Sequence, residues 1–90
     1  MKLDIVQSKL NLNMYYIYMR LNSETSVYAP TNISFYLDIS EENYVNILKT
    51  QNVIEFPKQQ TQYYFKTYKE AELVVKLLEP YLVMATLIGE

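Results

Sequence analysis

Ile33-Ser34-Phe35-Tyr36-Leu37-Asp38-Ile39 (ISFYLDI) is the stretch on which the reading of this chain turns. Ile33, Phe35, Leu37 and Ile39 alternate with Ser34, Tyr36 and Asp38. Strict alternation of apolar and polar side chains is the pattern of a strand with one face on a core and one in water, so a strand is expected over 33–39. Ser40 follows as a helix N-cap, with Glu41 and Glu42 complementing the positive end of the helix dipole. Tyr44, Val45, Ile47 and Leu48 form the inward stripe of that helix, Lys49 falls in its last turn, and Asn52 reads as a left-handed stop. Val53 to Phe56 reads as a short strand ended by Pro57, which cannot donate to a ladder and so suits a sheet edge.

Beyond the polar connection Lys58–Thr61, Gln62 to Tyr68 (QYYFKTY) reads as a further strand. Thr67 and Glu70 have the spacing of a capping box that opens a second helix. Its core stripe is Ala71, Val74, Val75 and Leu78, with Glu72 and Lys76 placed to pair at i,i+4. Pro80 removes a donor and disfavours helical geometry at Glu79, so the helix is expected to stop there. Tyr81 to Ile88 is then a final strand; the rival reading keeps the helix running to about Leu87 with a kink at Pro80. Upstream, Leu12 to Leu21 (LNMYYIYMRL) is aromatic-rich and strand-like, Leu3 to Gln7 is an open candidate to pair with it, and Asn22 to Asn32 reads as a loop. The expectation is one α+β domain over 1–90, ferredoxin-like βαββαβ from about residue 33, with two helices on one face of an antiparallel sheet and an extra N-terminal strand.

Composition excludes more than it names. The chain has no Cys and no His, so it has no thiolate nucleophile, disulfide or Cys-built zinc site, and it lacks the side chain that titrates near neutrality. Its single glycine, Gly89, leaves no glycine-rich phosphate loop. Asp38 with Glu41 and Glu42 could hold magnesium, but helix-start acids account for all three. Ser40 has no base to activate it. No enzyme and no cofactor are expected. A net charge of −2 gives no field for nucleic acid or an anionic membrane. Tyr81 to Ile88, the longest apolar run, is too short to span a bilayer, and Met1-Lys2-Leu3-Asp4 does not open a signal peptide. A soluble cytoplasmic protein is expected.

Ten tyrosines against three phenylalanines is the one outlier. Frequent Asn, Lys and Ile point to AT-rich coding, yet drift in coding raises Phe as well as Tyr. The excess of the hydroxyl-bearing ring therefore has a physical reason: tyrosine suits half-exposed positions and interfaces. With odd-numbered side chains inward in each strand, the open face gathers Tyr16, Tyr18, Arg20, Tyr36, Tyr64, Lys66 and Tyr68. Aromatic rings among cations make a protein hot-spot cluster or a base-stacking platform.

Gln62-Tyr63-Tyr64-Phe65-Lys66-Thr67-Tyr68 is similar in place to the third strand of RNA-recognition motifs. It departs from them in having Thr61 and Gln62 where a basic residue and glycine belong, Tyr64 where a small residue belongs, and Lys66 where an aliphatic belongs. The resemblance implies a fold analogy and single-stranded RNA binding as the alternative function. The leading expectation is a non-enzymatic binding protein that engages a protein partner through the tyrosine face and forms a homodimer, with no membrane association. The setting it suits is a phage, virus or mobile-element accessory protein that inhibits a host complex.

Overall fold

In the computed structural model, which describes residues 1–9, 13–56 and 62–89, the elements run β1 (Lys2–Gln7), β2 (Tyr15–Arg20), β3 (Ser26–Val27), α1 (Pro30–Leu37), α2 (Glu41–Leu48), β4 (Val53–Phe56), β5 (Gln62–Phe65) and α3 (Tyr68–Gly89). The strands form one sheet in the order β1-β2-β5-β4, with β3 paired to β2 beside β5. Every pairing is antiparallel. The described residues are thus α+β, with an antiparallel sheet of five strands and three helices. The ferredoxin-like order is not found: that arrangement runs β-α-β-β-α-β, whereas here three strands precede two successive helices, a hairpin follows, and one long helix closes the described residues. Leu12, Pro57 and the Lys58–Thr61 connection lie outside the described residues.

The stretch 33–39 is the largest correction. It is not a strand: Pro30 to Leu37 form α1, with Pro30 at the first turn, where its fixed φ is pre-organised and its missing N–H goes unused. Ile33 and Leu37 are buried because they stand four apart on one helical face, a spacing that a period of two also satisfies. The residues between them invert the expected pattern. Ser34 is 3% exposed, its hydroxyl donating to the Thr31 carbonyl at 3.0 Å, whereas Phe35 is 75% exposed. Asp38 ends the helix in the left-handed region, φ 57° and ψ 44°, with its N–H on the Phe35 carbonyl at 3.2 Å.

Ser40 caps α2 as expected, its hydroxyl accepting from the Asn43 N–H at 3.0 Å. Glu41, in that first turn, accepts from the Thr31 hydroxyl at 3.2 Å and so ties α2 back to α1. Tyr44 and Leu48 are buried, with Val45 and Ile47 packed at the core's edge. Asn52 is not a left-handed stop; among the described residues that conformation belongs to Asp38, and α2 closes instead through the Thr50 hydroxyl donating to the Ile47 carbonyl at 2.7 Å. β4 occupies the expected span at the sheet edge.

α3 carries the second correction. Pro80 does not end it, and residues 81–88 are helix, not strand. The core stripe Ala71, Val74 and Leu78 continues through Leu82 to Ala85, so packing keeps the helical phase across the missing N–H. At 22 residues, α3 runs about 33 Å across the sheet. The Thr67 hydroxyl caps it, accepting from the Glu70 N–H at 3.2 Å, while Glu70 Oε2 is buried without a hydrogen-bond partner, so the capping box is closed from one side. Among the described residues the ion pair joins Lys2 to Asp4 at 3.4 Å; Glu72 and Lys76 do not form one.

All three helices pack on one sheet face. Leu3, Ile17, Met19, Tyr63 and Phe65 meet Ile33, Leu37, Tyr44, Leu48, Ala71, Val74 and Leu78 in one core. Each Leu, Ile, Val, Met or Phe side chain among them contributes roughly 1.5–3 kcal/mol by leaving water. The core claims the odd-numbered positions of β2 and β5, which leaves the even-numbered side chains on the other side.

Candidate binding face

β2 and β5 position the centre of this outer face. Pleating alternates their side chains, so burial of Ile17, Met19, Tyr63 and Phe65 directs Tyr16, Tyr18, Arg20 and Tyr64 outward. Tyr15 pairs with Phe65 across the two strands, which sets Tyr16 beside Tyr64 with ring centroids 5.8 Å apart and planes at 76°. Tyr28, just after the two-residue β3, fills the notch where β3 leaves β2 and β5 joins it. Its ring meets Tyr16 edge to face at 6.3 Å. β1 adds a row beside β2, with Val6 opposite Tyr16, Asp4 opposite Tyr18 and Lys2 opposite Arg20.

These rings border a groove of about 360 Å³, lined by Val6, Ser8, Lys9, Tyr16, Tyr28, Gln62 and Tyr64. Gln62 Oε1 is buried without a hydrogen-bond partner. Burial raises the Tyr16 hydroxyl above the ordinary tyrosine range, and the neighbouring hydroxyls of Tyr64, Tyr28 and Tyr18 push in the same direction, so the ring stays neutral at physiological pH. Arg20 donates to the Tyr18 hydroxyl at 3.0 Å, and that hydrogen bond moves its pKa upward. The face therefore combines neutral aromatic surface with a hydrogen-bonded guanidinium and the Lys2–Asp4 pair at its end.

Of the seven residues assigned to this face from sequence, the structure brings together Tyr16, Tyr18, Arg20 and Tyr64. Tyr36 belongs to the helical layer: it lies on α1, exposed, edge to face with Phe35 at 5.3 Å. Lys66 sits in the bend between β5 and α3, because the strand stops at Phe65. Tyr68 is the first residue of α3 and packs its ring against Tyr15 at 5.9 Å, on the helix side of the sheet. Tyr28 was missed because the Ala29-Pro30 step marks a loop; the β-branched Val27 before it was the available clue.

The acids proposed for magnesium stay apart in role. Asp38 closes α1 while Glu41 and Glu42 open α2, and among the described residues no group of three acids gathers to hold a metal ion. Among the described residues, no helix is long and apolar enough to cross a membrane. Comparison with protein-family models, with curated proteins and with solved structures returns no match.

Proposed function

We propose that this chain is a non-enzymatic binding module that engages a protein partner through the outer face of its sheet. The observation that carries the reading is the cluster of Tyr16, Tyr28 and Tyr64 at a groove, with Tyr18 and Arg20 beside it, on a sheet face that none of the described helices covers. Tyrosine and arginine are the residues that dominate protein hot spots, since each offers a large stiff surface with a polar tip. A setting in a phage or mobile element, with a host complex as the target, accords with the AT-rich coding and the small size.

Protein is favoured over RNA by how the rings stand. Tyr16 receives or gives an edge contact with both Tyr28 and Tyr64, so the cluster spends ring faces on itself rather than presenting them flat to bases. Two of the cations on this face are already engaged, Arg20 by Tyr18 and Lys2 by Asp4, which leaves Lys9 at the groove. The test is affinity capture from source cells with wild type and Tyr18→Ser/Tyr64→Ser, with and without ribonuclease. A partner protein enriched by wild type, resistant to nuclease and lost with the variant is the expected result. Identical capture by both proteins, or capture abolished by nuclease, overturns the reading.

A further inference from the structure

Asp38 breaks two local rules at once. It ends α1 in the left-handed region, where glycine or asparagine is favoured, and it sets a carboxylate at the negative end of the helix dipole. The last turn of α1 holds no basic residue to offset that charge, and among the described residues Asp38 has no ion pair. α2 does not need the charge either, since Ser40 caps it and Glu41 and Glu42 already occupy its first turn. Phe35, in the same last turn of α1, breaks a third rule: it is a large apolar side chain in water, edge to face with the exposed Tyr36 ring. Departures from local preference that packing does not explain collect at functional sites. These three side chains line one open groove of about 590 Å³, together with Ser34, Ile39, Ser40 and, from α3, Ala85.

We infer that this groove is a separate binding site, which takes an arginine side chain presented by a partner protein. Charge complementarity selects the occupant. Among the described residues the groove's one charged group is the Asp38 carboxylate, no Lys or Arg lines it, and the C-terminal end of α1 adds partial negative charge. Two aromatic rings stand in that field, and a cation over a ring face is attracted by the ring's quadrupole. A guanidinium uses both features together. Flat and weakly hydrated, it stacks on an aromatic ring while its N–H fork reaches a carboxylate. A lysine ammonium is more strongly hydrated and has no plane to stack. A divalent cation needs several oxygen ligands, and among the described residues no group of three acids gathers to supply them. Ile39 and Ala85 offer apolar wall to the arginine stem and its neighbours. The groove belongs to the helical layer, across the sheet from the tyrosine face, and stands independently of any role for that face.

Nuclear magnetic resonance titration of the nitrogen-15-labelled whole chain tests this. The probe is an acetylated, amidated pentapeptide with arginine at its centre and leucine at each end. It should shift the amides of Phe35, Tyr36, Asp38 and Ile39 and saturate with a Kd of about 1 mM. Exchanging its arginine for citrulline, which keeps the shape and removes the charge, should weaken binding about fivefold or more. Asp38→Asn should weaken the arginine peptide to the same extent without lowering the melting temperature, because asparagine tolerates the left-handed region. Phe35→Ala, at an exposed position, should also weaken it while the rest of the spectrum keeps its dispersion. Absence of a saturable shift up to ~10 mM peptide, equal binding of the citrulline peptide, variants that bind like wild type, or shifts centred on Tyr16 and Tyr64 would each overturn the inference.

Discussion

Asp38 shows what one backbone position demands. At φ 57° a residue with a Cβ is held in a region that costs it roughly 1 kcal/mol, and the sharp turn from α1 into α2 depends on that conformation. Asp38→Gly should therefore stabilise the protein by about 0.5–1 kcal/mol and raise its melting temperature by several degrees, as read by calorimetry. Tyr44 makes a different point. It is 2% exposed, and burial pushes its hydroxyl well above the ordinary tyrosine range. The folded state thus keeps the ring neutral while the unfolded chain ionises from about pH 10. The stability that Tyr44 contributes is complete below that pH and falls above it by about 1.4 kcal/mol per pH unit. Tyr16 and Tyr63 shift in the same direction, burial being the first cause in each. Urea melts at neutral and at strongly alkaline pH should show a shallower alkaline loss in Tyr44→Phe than in wild type; equal slopes would remove Tyr44 from the account.

At the scale of elements, α3 is the one whose sequence argues against itself. Pro80 lacks the N–H that would reach the Lys76 carbonyl, and a proline inside a helix costs up to about 3 kcal/mol. Pro80→Ala, at an exposed position, should stabilise the protein by about 1–3 kcal/mol and deepen the helical signal at 222 nm; destabilisation would mean that a kink is needed to seat Leu82 and Ala85. The same element explains how far the fold could be read in advance. Ser40, Thr67 and the Val53–Phe56 edge strand were legible because caps and Pro punctuation act locally. The 81–88 segment was not, since Val83, Thr86 and Ile88 favour strand locally while Leu82 and Ala85 extend the core stripe, and that stripe matters only once the sheet is in place. The 33–39 segment misled for a related reason. Ile33 and Leu37 fit both periods, and the residue that separates them, Phe35, is a large apolar side chain facing water. Pro30 at the first turn was the signal for a helix.

Among the described residues the sheet has one face committed to a core and the other without a helix on it, and the parity of β2 alone was enough to turn Tyr16, Tyr18 and Arg20 toward that outer side. Tyr36 was misplaced because its element is a helix and not a strand, Lys66 and Tyr68 because β5 ends at Phe65, and tertiary packing decides both. Because the outer face bears little of the core, Tyr18→Ser/Tyr64→Ser should change unfolding free energy by about 1–2 kcal/mol at most, in chemical melts, while removing partner binding. A loss large enough to unfold the chain would assign these rings to stability instead. The central claim is that this face meets another protein. Its most direct measurement places a photo-crosslinking phenylalanine analogue at Tyr18 or Tyr64, with Lys49 at the exposed end of α2 as the control position. Irradiation in source cells should give one discrete protein adduct from positions 18 and 64 and none from 49. Adducts to nucleic acid, to a second copy of the chain, or equally from all three positions would contradict it.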